Sequence, residues 1–178
     1  MPVQIGAKSH SFSEPTGLLS DCHRRIEMFL ASLGRVAALS DKPLPNDARA
    51  ALEAALRYFR DAAPKHTADE EQSLFPRLRK LHDPSVKAAL ETLELLERDH
   101  RQADLLHAEA DALGRKCLAE GRLSETDADQ FRRTISQLAS VYKDHIHIED
   151  ELVFPVAGRV LSETDKAAIA TEMAARRK

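Results

Sequence analysis

His66-Thr67-Ala68-Asp69-Glu70-Glu71, closed by Leu74-Phe75-Pro76, returns as His145-Ile146-His147-Ile148-Glu149-Asp150, closed by Val153-Phe154-Pro155. Each copy spaces a histidine and a glutamate four residues apart, which sets both on one face of a helix about 6 Å apart along its axis. A second repeat stands upstream of the first. Leu18-Leu19-Ser20-Asp21-Cys22-His23-Arg24 corresponds to Leu95-Leu96-Glu97-Arg98-Asp99-His100-Arg101. The offsets of 79 and 77 positions agree closely enough to describe one helical hairpin, duplicated. Each hairpin then supplies a lone histidine on its first helix and a His-x-x-x-Glu on its second.

The surrounding sequence predicts the helices that carry these motifs. Ala, Leu, Glu, Lys and Arg make up half of the 178 residues, and there are only six glycines. That composition argues for long helices and against a sheet. Ser13 and Pro15 suggest a cap and first turn, followed by helix 1 with apolar residues from Leu18 to Val36 at helical spacing. The stretch Ser40 to Asn46 ends it, with Asn46 as the expected cap of helix 2. Helix 2 is expected over about Asp47–Leu81, bent or locally broken at Pro64 and Pro76. Asp83-Pro84 opens helix 3, which Gly121 stops. Ser124 caps helix 4, running to about Gly158, and Ser162 caps a short fifth helix. The expected architecture is all-α: an up-down-up-down four-helix bundle with a short extra C-terminal helix, read as appended on the surface. The expected division is a tail over 1–13, the bundle domain over 14–160, and the C-terminal helix over 161–178.

His23, His66, His100 and His145 fall within about one helical turn of a common depth when their distances from the turns are counted at 1.5 Å per residue. A lone histidine on an apolar helix face is ordinarily a hydrogen-bonded core residue, and a lone His-x-x-x-Glu is ordinarily a solvated pair. Four histidines at one level with Glu70 and Glu149 are a different case, because so many ionisable groups buried together without a cation would be desolvated and poorly paired. Four imidazoles and two carboxylates without a thiolate suit two ions bridged by carboxylate and solvent-derived oxygen. Iron or manganese fits that donor set, and zinc is an alternative that more often closes at four ligands. The i, i+3 Glu-x-x-His motif of ferritin-like sites is absent.

Composition excludes several classes of function. A formal net charge of −3 offers no basic face for nucleic acid. No apolar run approaches the length of a membrane span, and Met1–Ser20 lacks the pattern of a signal peptide. Cys22 and Cys117 cannot build a disulfide scaffold and fit a reducing cytoplasm, the expected location. Eight histidines stand beside six Phe, two Tyr and no Trp, so histidine is abundant where ring-bearing core residues are scarce.

At these motifs the chain resembles the hemerythrin-like family, the HHE cation-binding domain, over about Pro15 to Gly158. The resemblance implies a four-helix bundle around a non-haem di-iron centre, oxo- or hydroxo-bridged, with His23, His66, Glu70, His100, His145 and Glu149 as ligands. It also implies a small diatomic partner such as oxygen or nitric oxide, and a role in binding or sensing that ligand or iron itself. Two alternatives accompany it: a di-iron redox enzyme acting on peroxide or nitric oxide, and an interaction protein whose fold iron stabilises. The family's oxygen carriers place a second histidine four residues after the one on the third helix. Here that residue is Asp104, and helix 1 offers Glu27 in the same relation to His23. These two carboxylates could be ligands, hydrogen-bond acceptors for ligands, or ordinary helix charges. His107, on the same face as His100, is a possible additional histidine. The carboxylate-richer set argues against simple reversible oxygen carriage. The cysteine-bearing N-terminal module of the family's iron-centre repair proteins is not expected in this chain.

Tyr142 lies one turn before His145, either as a hydroxyl directed at the site or as a core aromatic. Phe59, Phe75 and Phe154 are expected to pack around the centre. Cys22 points about 100° around the helix from His23 and is not expected to ligate; oxidation sensing at it is a minor alternative. His10, His82 and His147 are left outside the site.

Overall fold

Capping chemistry sets several of the helix ends. The computed structural model describes residues 10–178; residues 1–9, most of the expected tail, lie outside the described residues. Its main helices are α1 (Pro15–Ala37), α2 (Asn46–Asp61), α3 (Ala63–Asp69), α4 (Phe75–Leu78), α5 (Lys87–Glu120), α6 (Glu125–Ile148), α7 (Phe154–Val160) and α8 (Glu163–Ala175), and no strand occurs among the described residues. Asp83 accepts from the Ser85 amide at 2.8 Å and starts the 3₁₀ turn Pro84–Val86 that leads into α5. Ser124 and Ser162 accept from the amides of Asp127 and Asp165, each at 3.1 Å. Gly121, at φ +80°, supplies the left-handed residue that ends α5.

Two expected caps are corrected. Asn46 is already the first residue of α2, behind Pro45, and no side chain caps that end. Ser13 turns toward Ser11, with their hydroxyls 2.6 Å apart, while Pro15 opens α1.

The prolines within the second and fourth segments act in two ways. Pro64 sits at the second position of α3, just after a break at Ala62, where a missing N–H costs nothing. Pro76 and Pro155 each follow a π-helical turn, Glu70–Leu74 and Glu149–Val153. In these turns the amides of Phe75 and Phe154 donate five residues back, to the carbonyls of Glu70 and Glu149. A proline cannot donate to the carbonyl four residues before it, and its ring crowds that carbonyl. Widening the preceding turn relieves the clash without ending the helix.

The chain divides into two compact units. The first comprises the N-terminal stretch to Arg25, Pro64–Arg98 and His145–Lys178. Its core gathers Leu18, Leu19, Leu74, Phe75, Leu78, Leu93, Leu96, Val153 and Phe154, and includes Ile169 and Met173 of α8. The C-terminal helix is therefore not a surface appendage: its Ile169 and Met173 side chains are fully buried. The second unit comprises Ile26–Ala63 and Asp99–Asp144. Leu33, Leu52, Leu56, Phe59, Phe131, Ile135 and Leu138 are buried there. Gly114 lets α5 approach α2 closely, since a Cβ at that position would lie 2.8 Å from a Leu56 methyl. No described helix is long and apolar enough to cross a membrane.

Candidate metal centre

The two π-turns begin at the two glutamates of the duplicated motif. His66 and His145 lie four residues before them, at the ends of α3 and α6, so the histidine and carboxylate of each copy meet across one helical turn. His66 Nε2 is 3.0 Å from Glu70 Oε1, and His145 Nε2 is 3.1 Å from Glu149 Oε2. His23, from α1, brings its Nε2 to 3.1 Å from Glu149 Oε2 and 3.9 Å from Glu70 Oε1. His23, Glu70 and Glu149 are fully buried, and His66, His100 and His145 nearly so. His23 is stacked on Phe154 and meets His66 edge-on, with ring centroids 5.3 and 4.9 Å away.

His23, His66, Glu70 and Glu149 each offer a ligand atom, all within 4.8 Å of one another, and form one donor group. His145 adjoins it through Glu149. Neither oxygen of Glu149, nor Nε2 of His23, has a well-aligned hydrogen-bond partner, although all three atoms are buried. Burial and the charge of Glu149 push the Glu70 carboxyl well above the usual range. Burial also pushes Glu149 upward, but His145 and His23 outweigh it and hold Glu149 below the usual carboxylate range. Two buried carboxylates that oppose each other's ionisation, ringed by imidazoles, are a donor set that a cation satisfies and neutral hydrogen bonding does not. The residues present therefore fit a metal.

A family profile described as the hemerythrin HHE cation-binding domain matches residues 14–158. The chain belongs to that family. The hemerythrin HHE domain binds metal cations, and this donor group fits a metal site here. An uncharacterized protein from Haemophilus influenzae (strain ATCC 51907 / DSM 11121 / KW20 / Rd) is similar at 29% identity over 172 residues, covering 94% of this chain and 92% of its own.

Within this hemerythrin domain the remaining candidates fall elsewhere. Glu27 and Asp104 are exposed and do not join the donor group. Nor does His107; its Nε2 lies 2.9 Å from the Tyr142 hydroxyl and its ring stacks on Phe59 at 4.4 Å. Burial lowers the His107 imidazole to about 4, so it is neutral at ordinary pH. Tyr142 is buried with its hydroxyl on His107. His82 and His147 are exposed. Cys22 is buried, its Sγ 3.2 Å from Arg25 Nη2, and burial pushes its thiol up, away from the reactive range.

Asp150, which sequence reasoning left without a role, holds His23 from behind. Its Oδ1 is 3.0 Å from His23 Nδ1 and accepts from Ser20 Oγ at 2.8 Å, while Arg24 pairs with Oδ2. Burial draws the His23 imidazole down, yet Asp150 and Glu149 outweigh it and raise it to about 10. A carboxylate on Nδ1 fixes the ring so that Nε2 faces the other donors. The signal was present in the sequence, since an acidic residue follows the glutamate in both copies, Glu71 and Asp150.

Proposed function

We propose that this protein holds a non-haem di-iron centre and uses it to bind or sense a small ligand, oxygen or nitric oxide, or iron itself. The observation that carries the reading is the pair of fully buried carboxylates, Glu70 and Glu149, ringed by the imidazoles of His23, His66 and His145. The family resemblance adds His100 as the sixth ligand, so that the donors suffice for two metal positions. Six protein donors over two positions leave coordination sites open, which suits ligand binding better than a purely structural ion. The absence of thiolate favours iron over softer metals, with manganese or zinc as alternatives. When bound, such a pair supplies redox-active, Lewis-acidic positions to which a diatomic ligand can attach.

The chain's own residues do the rest. Asp150 orients His23, and Phe154 walls one side of that ring. The up-down-up-down four-helix arrangement is the topology in which the two hairpins deliver these donors to one level. The exposure of Glu27 and Asp104 leaves the donor set at four imidazoles and two carboxylates, short of the histidine count of the oxygen carriers, and a sensing role follows more readily than carriage. Turnover of peroxide or nitric oxide at the same positions is the alternative reading.

Metal analysis of protein expressed with ample iron should give about two Fe per chain. His66→Ala and His145→Ala should each lose most of it, and His82→Ala should lose none. One zinc per chain, or no metal, would overturn the proposal. Anaerobic reduction followed by separate additions of oxygen, nitric oxide and peroxide, watched by absorption, then separates ligand binding from catalytic consumption.

A further inference from the structure

Asp69 immediately precedes Glu70, is fully buried, and does not belong to the donor group. Both of its oxygens are held by arginines just beyond the end of α8. Arg176 Nη1 is 2.8 Å from Oδ1, and Arg177 Nη2 is 2.5 Å from Oδ2. Arg176 also donates to Ser73 Oγ at 2.8 Å, so one guanidinium spans from the residue before the first π-turn to a residue within it. One helical turn earlier, Glu172 accepts from Ser73 Oγ and from both Nη atoms of Arg77, at 3.1 and 2.7 Å. Ile169 and Met173 fix α8 in the core beneath these contacts.

This arrangement is not part of the duplicated plan. The residue corresponding to Asp69 in the second copy is Ile148, and α8 lies beyond residue 158, where the family match ends. A buried carboxylate is stable only while its cationic partners remain. If they are lost, Asp69 must move toward solvent, and the backbone that moves with it is the start of the turn bearing Glu70. A π-turn is a local widening of an α-helix, so its register is the softest part of that segment.

We infer that Arg176 and Arg177 are positioning residues for the metal centre: they hold Asp69, and through it the π-turn Glu70–Leu74, so that Glu70 faces His23, His66 and Glu149. The inference rests on the metal-centre reading of Glu70.

The test compares R176Q/R177Q, the triple variant D69N/R176Q/R177Q, and M173A, which loosens the anchorage of α8 without touching the ion pairs. Each is loaded with ferrous iron, and anaerobic release to a chromophoric ferrous chelator is followed well below the unfolding transition. R176Q/R177Q should release iron roughly tenfold faster or more, as for loss of other supporting contacts at metal sites. M173A should stay within about twofold of the parent, and the triple variant should return most of the way, because a neutral amide in place of the carboxylate needs no cation. In the metal-free proteins, amide hydrogen exchange over residues 70–74 should accelerate in R176Q/R177Q and recover in the triple variant. Unchanged release and exchange in R176Q/R177Q overturn the inference. So does equal acceleration in M173A, or no recovery in the triple variant. If the arginine pair cannot be replaced without unfolding, R177Q alone carries the same comparison against D69N/R177Q. A parent protein that takes up no metal defeats the metal-centre reading, and the exchange experiment still decides whether the arginines hold the turn.

Discussion

Removing the Asp150 carboxylate tests how the centre is supported, because Asp150 touches a proposed ligand without being one. Asp150→Ala takes away the acceptor 3.0 Å from His23 Nδ1 and leaves the imidazole free to rotate or to adopt the tautomer whose proton sits on Nε2. A hydrogen bond involving a charged group contributes about 1.5–3 kcal/mol. Loss of an outer partner of a ligating histidine weakens metal binding roughly 10–100-fold, or about 1.4–2.8 kcal/mol, so the two estimates agree. Asp150→Asn keeps an oxygen that accepts from Nδ1 and should lose less than about tenfold. Arg24→Ala should matter little, because Arg24 is more than half exposed and such pairs contribute about 0–1 kcal/mol. The assay is competition for ferrous iron against a chromophoric chelator of known affinity, with thermal unfolding of the metal-free proteins as the control for global damage. An Asp150→Ala protein that binds iron within about twofold of the parent would refute the orienting role.

Two further outcomes follow from the fold. His107 has its folded-state value lowered to about 4 by burial, against 6.5 in an unfolded chain, so between those values the unfolded state binds the extra proton. Stability should therefore fall as pH drops from about 6.5 to about 4, by at most about 3 kcal/mol, and this component should vanish in His107→Phe; urea unfolding at several pH values reads it. Met173→Ala empties a fully buried position of the first unit's core and should cost about 2–5 kcal/mol by urea unfolding, where a surface-appended helix would lose almost nothing.

The duplicated motif made the buried histidine–carboxylate pairs readable because partners four residues apart are a local signal, and a local signal survives without knowledge of the rest of the chain. Ser124, Ser162, Asp83 and Gly121 were equally readable, since caps and left-handed turns depend on one residue and its immediate neighbours. Asn46 failed for the same reason in reverse: Pro45 beside it begins the helix one position early. The prolines announced a disturbance but not its kind, because a π-turn and a kink relieve the same clash. The roles of Arg176 and Arg177 were invisible, since their partner Asp69 lies more than a hundred positions away and nothing in a C-terminal Arg-Arg pair names it. Glu27 and Asp104 have the spacing of ligands, and only their exposure separates them from the histidine-carboxylate pairs that are buried.

His23 belongs to the first hairpin, but the carboxylates that hold it, Glu149 and Asp150, belong to the second and lie up to 127 positions along the chain. A tie across that distance closes a loop of more than a hundred residues, which costs on the order of 5 kcal/mol of chain entropy that folding must offset. These contacts exist only in the folded chain, so an ion that binds there would stabilise the fold according to its own affinity and concentration. Such an ion would be a reversible clasp between the two hairpins, and its removal would lower stability as well as empty the site.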